Sequence, residues 1–370
     1  MKIVAIDTFP ISQTVNPQLA IVSAAGKHPE SHYLVVRIRT DEGVTGYGEA
    51  TIVPVWSGEN AAGAQQIVRE LFAPLLLSAD PFQFGLLAQA MDGAVIGNPF
   101  IKAGVEMALL DVAARSLNVP VHVFLGGPRR PLEIGLKFSI GAFTPTEAAR
   151  VAGHAVQLGL RAVKVKVGLD VSGDIARVES VRSTVGDDFR VAVDANGGWT
   201  EADARRAIPH LERLNVNALE QPLRRGDFRG SARLRQQTSI PLMLDESIFT
   251  PGDALQAIRE EACDLISIYP GKNGGILRSL EIAQMAASAG LKCVIGSNLE
   301  MDLGTAAMLH TAVAVPQLAT SVDHDVIGPL YYEHHYTAAL IRYRNGCAVL
   351  PDGPGLGIEI EHPEELDRTR

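Results

Sequence analysis

Apolar residues recur in two rhythms along the chain, and the change between them divides it. Lys2 to Phe9, Tyr33 to Arg39 and Val44 to Glu49 alternate as strands do, the last two as a hairpin about Asp41-Glu42-Gly43. Helical spacing follows over Glu59 to Leu76, Pro81 to Met91 and Pro99 to Leu117, and in the last Val105, Ala108, Leu109 and Ala113 share a face. Strands first and helices afterwards predict an α+β domain over residues 1–128. From about Leu132 short apolar runs alternate with helical stretches. Eight strand candidates result, at 133–139, 162–167, 190–194, 216–220, 241–245, 264–269, 292–296 and 318–322. Helix starts are marked at Thr144-Pro145-Thr146-Glu147, Thr200-Glu201-Ala202-Asp203 and Thr250-Pro251-Gly252-Asp253, each a threonine followed three residues later by an acid. Eight such units in roughly 200 residues predict an α/β fold, a closed (β/α)8 TIM-like barrel, over residues 129–338. Residues 339–370 lack that rhythm and are expected to return to the N-terminal domain.

Three of the apolar runs end in an acid, namely Asp194, Glu220 and Asp245, and a fourth carries Lys164 and Lys166. Intervals of 28, 26 and 25 residues separate Lys166, Asp194, Glu220 and Asp245, about one strand, one helix and two short loops each. Parallel strands joined by helices put such residues on one rim. Three carboxylates there repel one another unless a cation lies between them, and hard oxygen ligands suit Mg2+, with Mn2+ as an alternative. Each acid taken singly is equally a helix N-cap. Lys164 and Lys166, two apart on a strand, point the same way, into the barrel, while Val163, Val165 and Val167 face the helices. A lysine in a closed site beside a cation is expected to have the lowered pKa of a general base. Asn196 and Gln221 flank the acids and can bond ligands or substrate, and Glu246 can pair with a lysine.

The net charge of −9, without a basic block, excludes a nucleic-acid binder. No targeting segment is visible, and the apolar stretch Ala306 to Ala319 is interrupted by His310 and Pro316, so a cytoplasmic protein away from the membrane is expected. Cys263, Cys293 and Cys347 are widely spaced and read as free thiols, two of them buried in strand-like runs.

Lys164-Val165-Lys166, Asp194-Ala195-Asn196, Glu220-Gln221-Pro222, Asp245-Glu246-Ser247 and Lys272-Asn273-Gly274-Gly275, with Arg39 to Glu49 and Gly126-Gly127 earlier, resemble the enolase superfamily and, within it, the muconate-lactonizing-enzyme subgroup of the mandelate racemase/muconate lactonizing enzyme family. The resemblance spans nearly the whole chain. It implies an α+β capping domain closing over the barrel, and Mg2+ held by Asp194, Glu220 and Asp245. It also implies a small carboxylate substrate whose α-proton is removed or returned through a metal-stabilised enediolate. Lys166 would be the acid/base on one face and Lys164 would lie beside the substrate carboxylate. A homo-oligomer is implied too.

One position departs from the subgroup, which places a second lysine at the end of the sixth strand. Here Tyr269 stands there, and Lys272 follows on the next loop. Racemisation needs acid/base groups on both faces, and tyrosine is a poor base at neutral pH. Elimination or lactonisation runs on one face. The sequence therefore favours a cycloisomerase or acid dehydratase over a racemase or epimerase of amino-acid or dipeptide derivatives, and a catalytically inactive ligand-binding homologue is the remaining alternative. If Lys272 swings in, it or Tyr269 would supply the second group. Substrate contacts are expected from Ser297, Asn298 and Glu300 after the seventh strand, Asp323 and Asp325 about the eighth, and His28 and Trp56 from two loops of the N-terminal domain. Gly26, Ser31, Val53 and Val55 join these loops; Lys137 is expected either to face the pocket or to form a rim ion pair with Glu133 or a neighbouring acid, His324 either to read the substrate or to take a capping or surface position, and His334-His335 to lie in solvent.

Overall fold

The structure is a computed structural model that describes residues 1–338 and 340–360. The N-terminal part is an antiparallel sheet of β1 (Ile3–Thr14), β4 (Glu30–Thr40) and β5 (Thr45–Ile52), in the order β1-β4-β5. Between β1 and β4 the long polar connection forms its own small hairpin, β2 (Ile21–Ser23) with β3 (Gly26–His28). Helix Pro99–Ser116 packs across the sheet and is buried on every side, not on one stripe only. Glycines permit this approach: a Cβ on Gly48 would stand 2.0 Å from the Gly104 carbonyl oxygen.

The barrel follows as a curled parallel sheet of β7 (Phe138–Ile140), β8 (Ala162–Lys166), β9 (Arg190–Asp194), β10 (Val216–Glu220), β11 (Leu242–Leu244), β12 (Leu265–Ile268) and β13 (Lys292–Ile295), each paired with the next. The eighth stave is an extended segment that bridges Leu318 to Cys293 on one side and His324 to Leu136 on the other, which closes the ring. Its backbone is pinned less regularly than a ladder, so no named strand results. Ala192, Ala218, Met243, Leu265, Val294, Ala319 and Val322 fill the interior below the site. All three threonine starts are capping boxes, at Thr144, Thr200 and Thr250.

The first strand candidate splits. β6 (Glu133–Gly135) leaves the barrel ladder to pair with β15 (Cys347–Val349), which pairs in turn with β14 (Arg342–Arg344). The C-terminal segment therefore does two things where the sequence predicted one. Residues 342–349 lie against the barrel, whereas Gly355 pairs with Pro120 and Leu356 N–H donates 2.7 Å to Asp111 on helix Pro99–Ser116. The expected return over 339 and 361–370 lies outside the described residues. Among the described residues no single helix is long and apolar enough to cross a membrane, and Cys263 and Cys293 are buried free thiols.

Candidate active site

Register decides which acids meet. Lys166 stands level with Asp194, Asp194 with Glu220, and Glu220 with Met243, two residues before Asp245. The even-numbered lysines of β8 point inward while Val163 and Val165 are wholly buried against the helices. One cleft, between the barrel mouth and the N-terminal loops, is lined by Lys164, Lys166, Asp194, Asn196, Asp245, Ser297, Asn298 and Asp325, with His28, Val53, Val55 and Trp56 from above. Ten of the fifteen candidate residues thus meet there. Glu220 lies just beneath, fully buried.

Each acid leans on a lysine. Lys166 Nζ is 2.6 Å from Asp194; Lys164 Nζ is 3.1 Å from Glu220 and 3.5 Å from Asp194; Lys272 Nζ is 2.7 Å from Asp245. Burial opposes charge on Lys164, yet Asp325, Glu220, Asp194 and Asp245 outweigh it and hold its pKa well above the ordinary lysine value. Among these four acids Lys164 is a standing cation. As the side chains lie, no three acids, histidines or cysteines among the described residues form a closed metal cage. The donor set nevertheless fits a hard divalent cation, because both carboxylate oxygens of Glu220 are buried beside two further carboxylates with only the Lys164 ammonium near them and no hydrogen bond formed.

Four other candidates stand apart from the cleft. Asp323 is 2.7 Å from Arg190, at the start of β9 and so at the far end of the barrel, because successive inward positions on a stave descend away from the mouth. Glu300 is turned into its own loop, accepting from Ser297 Oγ at 2.5 Å and Asn298 N–H at 3.1 Å. Tyr269 is wholly buried below Trp56, their rings 6.3 Å apart, and its hydroxyl has no hydrogen-bond partner. Burial, with Asp245 and Glu300 next in effect, keeps that hydroxyl well above 10. Lys272 does swing in: Pro270–Asn273 turns as a short helix and brings its ammonium under Asp245. There it is spent on Asp245 Oδ1, the Asp245 carbonyl and the Ser267 carbonyl, at 2.7, 2.8 and 2.8 Å.

Other expectations shift in the same way. Gln221 braces the scaffold, accepting from Asp245 N–H at 3.0 Å and donating to Ser247 Oγ at 2.8 Å. Glu246 takes its bond from Asn196 Nδ2 at 2.8 Å, not from a lysine, and burial beside Asp245 and Asp194 pushes its carboxyl up to about 8. His324 is buried, accepting from Ile295 N–H at 3.1 Å; His335 is 2.6 Å from Asp302 rather than solvated. Ser31 lies behind His28, whose Nε2 is 2.7 Å from the Ser31 hydroxyl; burial, His32 and Lys166 together hold that imidazole below its ordinary value. Sequence reasoning missed Ser139, which lines the cleft; Lys137 pairs with a neighbouring acid, Asp325 at 2.9 Å, but it is buried rather than on the rim and does not meet Glu133. The two-residue spacing that singles out Lys164 and Lys166 also links Lys137 and Ser139, and was the available signal.

Residues 5–126 match the family described as Mandelate racemase / muconate lactonizing enzyme, N-terminal domain, and residues 147–365 match Enolase C-terminal domain-like. The chain is 32% identical to an N-succinyl-L-Arg/Lys racemase of Bacillus cereus, over 97% of this chain and 96% of that one. It is 34% identical to Muconate cycloisomerase 1 of Rhodococcus opacus, over 88% of each. A dipeptide epimerase of Enterococcus faecalis, solved with Mg and the dipeptide L-Leu-L-Tyr, superposes with a TM-score of 0.91 at 29% identity, covering 97% of this chain and all of the other.

Proposed function

Because the chain belongs to the mandelate racemase/muconate lactonizing enzyme family of the enolase superfamily, we propose that it abstracts or delivers the α-proton of a small carboxylic acid with Lys166 and completes the reaction on that same face, as a cycloisomerase or an acid dehydratase. Its relatives are isomerases that divide between cycloisomerases and racemases or epimerases, so kinship leaves the reaction open. The observation that carries this reading lies across the barrel from Lys166. β12 is four staves from β8 in a ring of eight, hence diametrically opposite. Its end offers a tyrosine that burial keeps neutral and a lysine already holding three acceptors, and neither lines the cleft.

Mg2+, held by Asp194, Glu220 and Asp245, would supply positive charge to the substrate carboxylate and to the enediolate that develops from it. A relative solved with Mg supports that assignment. Lys164, a standing cation between two of these acids, binds the same carboxylate. Lys166 takes the α-proton as the neutral amine, and its hydrogen bond to Asp194 orients that amine. Asn196, Ser297 and Asn298 border the substrate, while His28 and Trp56 close over its far end. An epimerase reading draws on the racemase relative. Against it, Asp325 is bound by two lysines and Asp323 by Arg190, so neither acid is free for a substrate amino group.

The test is NMR of muconates, sugar acids and cyclic amino acids in D2O with Mg2+, using the wild type and Lys166→Ala. The expected result is new product signals without deuterium in recovered substrate, and their loss in the variant. Deuterium entering the α-position with both stereoisomers appearing would overturn one-face chemistry. Binding of an acid without any turnover would favour the inactive homologue.

A further inference from the structure

Lys137 stands between β6 and β7, at the closure of the barrel. Its backbone N–H donates 3.0 Å to the His324 carbonyl, and its side chain, 1% exposed, donates 2.8 Å to the Asp323 carbonyl. The ammonium does more than close the ring. Its Nζ is 2.9 Å from Asp325 Oδ2, and Lys164 Nζ is 2.9 Å from that same oxygen. Ser139 Oγ donates 3.3 Å to Asp325 Oδ1. A single carboxylate is thus shared by two buried ammoniums, one of which faces Glu220 and Asp194.

We propose that Lys137 is a positioning residue of this site: it takes up part of the Asp325 charge and so leaves the Lys164 ammonium free to hold an anionic substrate. The inference rests on the reading above, in which Lys164 lies beside a substrate carboxylate. Lys137, Asp325 and Lys164 together carry one net positive charge, presented at the Lys164 end. Without Lys137 the other two form a closed neutral pair, and the attraction for an incoming anion falls. A divalent cation meets the opposite change, because one positive charge has left its neighbourhood. An electrostatic role therefore moves the two affinities in opposite directions, whereas loosening of the barrel weakens both.

Titration calorimetry with Mg2+ alone, then with oxalate added to Mg2+-loaded protein, separates these. Lys137→Gln should bind Mg2+ as well as the wild type or better, and oxalate about tenfold more weakly. Combining it with Asp325→Asn restores one net positive charge at Lys164 and should bring oxalate affinity back to within about threefold of wild type. The double variant buries no unpaired carboxylate, so it decides the matter even where the single variant does not fold. Parallel loss of both ligands, unchanged oxalate affinity in Lys137→Gln, or failure of the double variant to recover would overturn the proposal. Wild type that takes Mg2+ but no oxalate would remove the functional reading, and this inference with it. Wild type that binds both, beside an unaltered Lys137→Gln, would remove this inference alone.

Discussion

A buried hydroxyl without a partner is a liability unless something uses it, and Tyr269 is such a group. Its ring is held by Trp56 on one side and by the Lys272 ammonium, 4.8 Å from its centroid, on the other. Tyr269→Phe removes only the hydroxyl. Under one-face chemistry, turnover should stay within about threefold of wild type and the melting temperature should hold or rise, because an unsatisfied polar atom is lost. A fall of roughly 10²-fold or more in rate, with folding intact, would instead make the tyrosine an acid/base. Asp325 shows how a neighbour reverses the effect of burial. Burial favours its neutral form, yet Lys137 and Lys164 prevail and hold the carboxyl down at about 2. Its contribution to stability is therefore present above the unfolded value and is lost only as pH falls toward the folded one.

At the scale of elements, two acids of the N-terminal part serve the barrel helices. Glu106, on helix Pro99–Ser116, accepts from the N–H groups of Ile276 and Leu277 at the start of helix Ile276–Ser288. Glu49, on β5, accepts from Met301 and Gly304 at the start of helix Asp302–Ala314, and from the Tyr336 hydroxyl. Both thus cap helices across the boundary between the two parts. Burial pushes each carboxyl up to about 8, with the amide donors pulling the other way. An acid raised on folding stabilises most below its unfolded value, near 4.3, and that contribution is lost as pH rises toward the folded one. Melting temperature, as far as these two acids set it, should fall between about pH 5 and about pH 8.5. Glu106→Gln, which keeps an acceptor and removes the ionisation, should flatten part of that slope. Glu106→Ala leaves two amides unsatisfied and should cost about 2–4 kcal/mol by denaturant unfolding.

At the scale of the whole molecule, the candidate cleft lies between the barrel mouth and the N-terminal loops. Trp56, from the N-terminal part, reaches over the barrel mouth to Phe249 and Tyr269, with ring centroids 6.3 Å away in each case. The Arg225 guanidinium lies 4.0 Å over Phe249 and donates to the Trp56 carbonyl at 3.4 Å. The remaining tryptophan, Trp199, is buried and donates to Asp174, away from the cleft. Intrinsic fluorescence should therefore respond to an acid that fills the site mainly through Trp56. Trp56→Ala should abolish most of that response and raise KM about tenfold while leaving kcat less affected. An undiminished fluorescence change in the variant would show that the loop does not close on the ligand.

The sequence by itself determined the barrel and its N-terminal companion, and it singled out the residues at the core of the candidate site. Strand–helix alternation and the three threonine boxes are local signals, and Lys166, Asp194, Glu220 and Asp245 are spaced by the length of one repeating unit, which puts the first three level on a parallel sheet and Asp245 two residues beyond. What a side chain does after it reaches the rim is not local. Lys272 and Tyr269 exchange importance through a single turn at Pro270, Asp323 and Asp325 lie at different depths of one stave, and Lys137 meets an acid 188 residues away. Only the tertiary structure decided those partners, because an ion pair or an orphaned hydroxyl depends on which elements the closed ring brings together, and no spacing along one strand encodes the far side of a barrel.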